Sequence, residues 1–226
     1  VSDGVRDDLV ANIGLPPRLV QVLRNPVVTP QLTTLAQREP DHAWFRPGEP
    51  PVVLAAGRLT HQKDFATLLY AFDEVRRHHP CRLVILGEGP ERADLESLVR
   101  QLGLVGHCDL PGFVDNPYAF MRRARLFVLS SAWEGLPGVL IQAMACGTPV
   151  LSTDCPSGPR EILDDGRLGA LVPVNDPEAL AQAMIHALRE TPDRDALRAR
   201  AKDYSLDRVV RDYLGYLGMG PGTRST

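Results

Sequence analysis

Leu126-Phe127-Val128-Leu129-Ser130-Ser131-Ala132-Trp133-Glu134-Gly135-Leu136-Pro137-Gly138-Val139-Leu140-Ile141-Gln142-Ala143-Met144-Ala145-Cys146-Gly147-Thr148-Pro149-Val150-Leu151 is the stretch on which the fold turns. Four apolar residues form a strand-sized run, a Gly/Pro turn follows, and a helix from about Gly138 runs to a stop at Gly147. Thr148–Leu151 then reads as a second strand. A strand, a helix and a strand in such short succession make a β-α-β unit, and units of this kind stack around a parallel sheet.

The same alternation extends outward in both directions. Further strands are expected at Val52–Ala56, Arg82–Leu86, Cys108–Leu110 and Ala170–Val172. Asp64 can cap a helix that carries Leu68, Leu69, Phe72 and Val75 on one face. Pro90 sits in the first turn of the next helix, whose Leu95, Leu98, Val99 and Leu102 face inward before Gly103 stops it. Pro117 opens a short helix, and Asp176-Pro177-Glu178 supplies a cap, a first-turn proline and an acid for the helix dipole. Helices over Asp193–Lys202 and Leu206–Leu217 close the pattern. Val1–Ile13 reads as a strand end and a helix, and Arg24-Asn25-Pro26-Val27 reads as a turn. The fold class is therefore α/β, a Rossmann-like doubly wound parallel sheet, in which ligands sit outside the carboxyl ends of the strands.

Composition agrees with this reading and removes several alternatives. The chain has 226 residues, 44% of them hydrophobic and 23% charged, enough to bury a core. A net charge of −3 gives no support to a nucleic-acid surface, although small basic clusters are allowed. No apolar run approaches a bilayer span, and Leu126 to Leu129 is only strand-sized. Cys81, Cys108, Cys146 and Cys155 lie scattered with no C-x-x-C pair, which fits buried free thiols and a cytoplasmic setting better than a disulfide framework or a metal site. No metal ligands and no cofactor are expected. The chain opens without Met or a signal pattern, so something is expected to precede it, and residues 218–226 read as a frayed tail.

The loops after the strands carry the candidate chemistry. Gly57-Arg58-Leu59-Thr60-His61-Gln62-Lys63-Asp64 joins a glycine and two cations to a helix start, an arrangement suited to a diphosphate and equally to a solvated connection. It has the spacing of neither G-x-G-x-x-G nor Walker A, which counts against a dehydrogenase and a P-loop NTPase. Gly87-Glu88-Gly89-Pro90 allows a backbone to approach a ligand or simply a tight turn. Gly112-Phe113-Val114 could flank a base, or Phe113 could belong to the core. Glu134 is placed at a strand's carboxyl end, as a site acid or a capping acid. Gly135 and Gly138 leave amide groups free at the following helix start, with Gln142 on that helix.

Together these motifs, and Ser152-Thr153-Asp154-Cys155-Pro156-Ser157-Gly158-Pro159-Arg160-Glu161-Ile162, resemble the donor-binding half of family 4 glycosyltransferases of the bacterial surface-polysaccharide type. The likeness runs from about Asn25 to Leu217. It implies one half of a two-domain GT-B architecture, with residues 1–25 as the end of an acceptor domain and linker and 26–217 as the nucleotide-sugar domain. It further implies a retaining hexosyltransferase, working without a bound metal, that moves a sugar from a donor, UDP-linked by preference, to a glycan or lipid-linked acceptor. The acceptor, and any peripheral contact with the inner face of the membrane, would fall to the missing N-terminal domain, and the fragment alone would be inactive. By position, Arg58 and Lys63 would hold the diphosphate and stabilise the leaving group. Glu134 would contact sugar hydroxyls, while the backbone from Gly135 through Leu136, Pro137, Gly138 and Val139 would face sugar and phosphate. Phe113 and Val114 would lie near the base, with Gly57, Gly87 and Gly112 shaping the turns. One position departs from the family pattern: Gln142 stands where a second acid usually grips the ribose. Glu161 would either touch the donor or cap the Ile162 turn. The alternatives are a non-catalytic nucleotide-binding module and a nucleotide-sugar epimerase of related fold.

Overall fold

The computed structural model describes residues Ser2–Met219. Six parallel strands form one sheet in the order β3-β2-β1-β4-β5-β6, where β1 is Val52–Ala56, β2 Arg82–Leu86, β3 Cys108–Gly112, β4 Leu126–Leu129, β5 Val150–Thr153 and β6 Leu171–Val172. The order reverses between β1 and β4, the switch point at which a doubly wound sheet opens a crevice at the carboxyl ends of its strands. Every residue of β1 and β4 is buried, because both faces of these central strands are covered.

Two cores follow from the two faces. On one, α3 (Phe65–His78), α4 (Arg92–Gln101) and α8 (Pro177–Arg189) pack Leu68, Phe72, Leu95, Leu180 and Met184 against Val53, Leu83 and Val128. On the other, α2 (Pro30–Leu35), α5 (Pro117–Arg123), α6 (Gly138–Cys146) and α9 (Arg194–Ala201) pack Leu32, Phe120, Ile141 and Leu197 against Leu54, Val84 and Phe127. Helix starts follow local chemistry: Asp64 accepts from Thr67 N and Asp176 from Ala179 N. No helix among the described residues is long and apolar enough to cross a membrane.

Several boundaries differ from the sequence reading. α1 (Asp3–Asn12) begins directly behind Ser2, its N-cap, so the described part of the opening segment contains no strand end. Residues 24–27 form no turn; Val27 N and Val28 N both donate to Tyr204 O at 3.0 Å. α4 starts at Arg92, not Pro90, with Glu91 as its N-cap and Glu91 N donating to Leu59 O. β3 continues through Pro111, which a strand at the sheet edge tolerates. β5 is shifted to Val150–Thr153 because Thr148 N closes α6 on Ala143 O. α7 (Pro159–Ile162) is one turn, and α10 (Leu206–Tyr216) is followed by Gly218 N and Met219 N bonding back to Gly215 O and Leu214 O. Val1 and residues 220–226, most of the expected tail, lie outside the described residues.

Candidate active site at the switch point

The loops that leave β1 and β4 are stitched together across the crevice. Ala132 N donates to Gln62 O at 2.8 Å, Gln62 Nε2 to Trp133 O at 3.0 Å, and Ser130 Oγ to Lys63 O at 2.9 Å. At the centre, Lys63 Nζ donates to Glu134 Oε1, and Ser131 Oγ donates to the same oxygen at 2.7 Å. The two charged side chains are 15% and 7% exposed, so the pair is largely withdrawn from water. Glu134 Oε2 has no partner among the described residues, and an ammonium has three N–H groups. The arrangement therefore leaves acceptor capacity on Glu134 and donor capacity on Lys63 at one spot.

Beside this pair lies a cavity of about 410 Å³ between the ends of β1, β2 and β3, bounded by Gly57, Arg58, Gly87, Phe113, Val114 and Pro117. Its volume falls in the range usual for small-molecule sites. Phe113 is 75% exposed, which rules out the core reading for that side chain. Arg58 is exposed and pairs with no carboxylate among the described residues, so its charge is unspent.

The glycines act chiefly on one another. A Cβ on Gly87, whose φ is +136°, would overlap the carbonyl oxygen of Gly57, and one on Gly89 would overlap Leu59. The two loops touch backbone to backbone, with Leu59 N on Glu88 O at 2.9 Å and Gly57 N on Leu86 O at 2.9 Å. The close approach these glycines permit is therefore loop on loop, and it fixes the cavity wall. Gly112, φ +93°, faces the Glu88 carboxylate, which Arg92 clamps at 2.8 Å through both Nε and Nη2.

On the β4 side, Gly135 O accepts from Ser2 Oγ at 2.8 Å, and Pro137 abuts Gly158. Leu136 and Val139 turn their side chains into the second core, leaving backbone at the crevice. Gly138 N and Val139 N open α6 without acceptors among the described residues, donors suited to an anion. Gln142, half-buried on α6, makes no side-chain hydrogen bond among them. The Glu161 carboxylate accepts from Arg24 at 2.9 Å and from Asp3 N at 3.0 Å, tying the start of the chain to α7. Ser131 and Gln62, which the sequence reading quotes within the two loops without giving them a role, join those loops here.

All four cysteines are free and buried, as expected. Burial pushes the Cys81 and Cys155 thiols up to about 11, with the Glu134 charge adding to the effect at Cys155, and pushes Cys146 up to about 12. None is poised as a nucleophile.

Comparison with known proteins places this geometry in a family. Residues 37–204 match the family model described as glycosyl transferases group 1. The chain is 32% identical over 220 residues, 96% of its length and 58% of the relative's, to the N-acetylgalactosamine-N,N'-diacetylbacillosaminyl-diphospho-undecaprenol 4-alpha-N-acetylgalactosaminyltransferase of Campylobacter jejuni. It is 33% identical over 180 residues, 77% of its length and 52% of the relative's, to the lipopolysaccharide core biosynthesis glycosyltransferase LpsE of Rhizobium meliloti. The chain thus spans about half the length of the curated relatives it matches. Among solved structures, a glycosyltransferase from Rickettsia africae superposes with a TM-score of 0.85 at 19% identity, covering 96% of this chain and 62% of that one. HepE of Anabaena, in complex with UDP and glucose, superposes with a TM-score of 0.81 at 19% identity, covering 96% and 61%. These structures share the fold.

Proposed function

This chain belongs to the glycosyl transferases group 1 family, and from that premise we propose that it is the donor-binding half of a retaining, metal-independent glycosyltransferase that takes a UDP-linked sugar. The observation that carries the reading is the Lys63–Glu134 pair at the switch point beside the 410 Å³ cavity. The base and ribose would lie against Phe113 and Val114, with the diphosphate running toward Arg58, Lys63 and the opening amides of α6. The sugar would present its hydroxyls to Glu134 Oε2. As the bond from sugar to phosphate breaks, negative charge grows on the diphosphate, and fixed cations and amide groups aimed there lower the barrier. Lys63 is held in place by Glu134 before the donor arrives, so little reorganisation is needed. UDP complexes among structures of this fold support the choice of nucleotide. Relatives named for a diphospho-undecaprenol carrier and for lipopolysaccharide core biosynthesis support a glycan or lipid-linked acceptor. We place that acceptor on the portion of the relatives' length that this chain does not cover, and the working location at the cytoplasmic face of a membrane.

The test is a panel of UDP- and GDP-sugars against a protein carrying both halves, with Glu134→Gln beside it. The variant keeps UDP affinity within a few-fold and loses transfer by about 100-fold, because an amide cannot orient the sugar as the carboxylate does. Turnover near the parent level would reduce Glu134 to a structural partner of Lys63. The chain assayed alone is expected to bind UDP and transfer nothing.

Two further results are expected of the nucleotide site. Arg58→Ala should weaken UDP by about 1.5–3 kcal/mol, the worth of a hydrogen bond to a charged group, with uridine affinity and melting temperature unchanged, since Arg58 is exposed and holds no partner within the fold. Calorimetry with both ligands measures it. Gln142→Glu should tighten UDP by about 1 kcal/mol, because a carboxylate accepts from both ribose hydroxyls and charge-assisted bonds are roughly twice as strong as neutral ones. A 2′-deoxy-UDP titration should show much less gain. The unpartnered Gln142 amide also favours a second reading, a module that binds nucleotide without transfer; binding with no transfer in the two-domain protein would establish it.

A further inference from the structure

A second cavity, of about 480 Å³, opens at the far end of α6 from the candidate active site. Nine residues of helix put its last turn about 12 Å from Gly138. Leu32, Ala36 and Ala145 give it an apolar floor, and Arg122, Arg198 and Lys202 stand around its rim. Arg122 and Lys202 pair with no carboxylate among the described residues, and Arg198, its guanidinium lying against Gly147 at the end of α6, pairs with the exposed Asp195 at 2.8 Å. Arg194, Arg198 and Lys202 follow one another at four-residue steps along α9 and its C-cap, so like charges share one face. Arg194 is turned to Gly147 O at 3.0 Å, and burial together with the charges of Arg198, Arg125 and Arg122 lowers its pKa below the ordinary arginine value. This crowd of cations stands out in a chain of net charge −3.

We propose that this cavity is an anion site, distinct from the nucleotide crevice, that takes a phosphate ester with an apolar group attached. The rim would hold the phosphate through Arg122, Arg198 and Lys202, and the floor would cover the first carbons of the attached chain. The two chemistries lie next to each other in one cavity, as they do in such a ligand. A lipid headgroup and a soluble organic phosphate share this chemistry.

Two arms separate the sources. In one, the chain is sedimented with vesicles of phosphatidylglycerol and, separately, of phosphatidylcholine. In the other, soluble dihexanoyl phosphatidic acid and glycerol phosphate are titrated by calorimetry with UDP saturating, so that the crevice is filled. Lys202→Glu is the primary variant because its side chain is exposed and unpartnered, and Arg122→Gln is the second. Each is expected to weaken the responding ligand at least tenfold while leaving UDP affinity unchanged. Loss of phosphatidylglycerol binding assigns a membrane headgroup. Loss confined to the soluble ligands, with dihexanoyl phosphatidic acid tighter than glycerol phosphate, assigns a soluble ester. Equal binding to both vesicle types, or ligand affinities that neither variant moves, overturns the proposal.

Discussion

Lys63→Met is expected to destabilise the chain by about 3 kcal/mol, measured by urea unfolding, and to remove most UDP affinity in the same protein. Glu134 is 7% exposed and keeps only Ser131 Oγ when the ammonium is gone. Truncating one partner of a buried pair costs about 3–5 kcal/mol, because the other charge is stranded. Water entering from the crevice places the effect at the low end of that range. Glu134→Gln, by contrast, leaves an amide that still accepts from Ser131, and the freed lysine can turn toward solvent. The double variant Lys63→Met/Glu134→Gln should therefore recover most of the lost stability but none of the UDP affinity. Additive losses in stability would show that the pair is not coupled.

The second large effect belongs to Gly87. Its φ of +136° is hard for any residue with a Cβ, and that Cβ would overlap a carbonyl oxygen of the neighbouring loop. Strain at such a backbone position costs about 1–3 kcal/mol, and forced overlap in a packed region typically another 1–3. Gly87→Ala is thus expected to lose about 3–5 kcal/mol. It should also open the 410 Å³ cavity by pushing the β1 and β2 loops apart, so that UDP affinity falls even where the variant remains folded. Gly48→Ala is the control: φ is +90° there with nothing within 4 Å, so only the strain remains. Equal losses at the two positions would mean that the contact with Gly57 carries no cost.

The contrast between these sites marks what a sequence discloses. β1 and β4 are continuous apolar runs and β2 is one behind Arg82, and the bounds of all three are legible to the residue. β5 was misplaced because Ser152 and Thr153 look like the end of a strand. They are fully buried only because their hydroxyls find carbonyls, Ser152 Oγ on Thr153 O at 2.8 Å and Thr153 Oγ1 on Ser131 O at 2.6 Å. Within the site, Arg58, Lys63 and Glu134 were identifiable one at a time from their places after strands. That Lys63 meets Glu134, seventy-one positions away, is a product of sheet order, which periodicity does not encode. Glu161 illustrates the converse. Its protein partners, Arg24 and Asp3 N, come from a segment whose path no local pattern reveals.

The bonds from Val27 and Val28 to Tyr204, with Leu206 N returning to Val28 O at 3.0 Å, have a consequence for the order of synthesis. On a ribosome the six strands can assemble once Val172 has emerged from the exit tunnel. The segment at 27–28 must wait, its amides served only by water, until Tyr204 and Leu206 follow. A chain halted between Val172 and Tyr204 would thus leave residues 27–28 without their partners, although Ser2, Asp3 and Arg24 upstream of them could already reach Gly135 and Glu161.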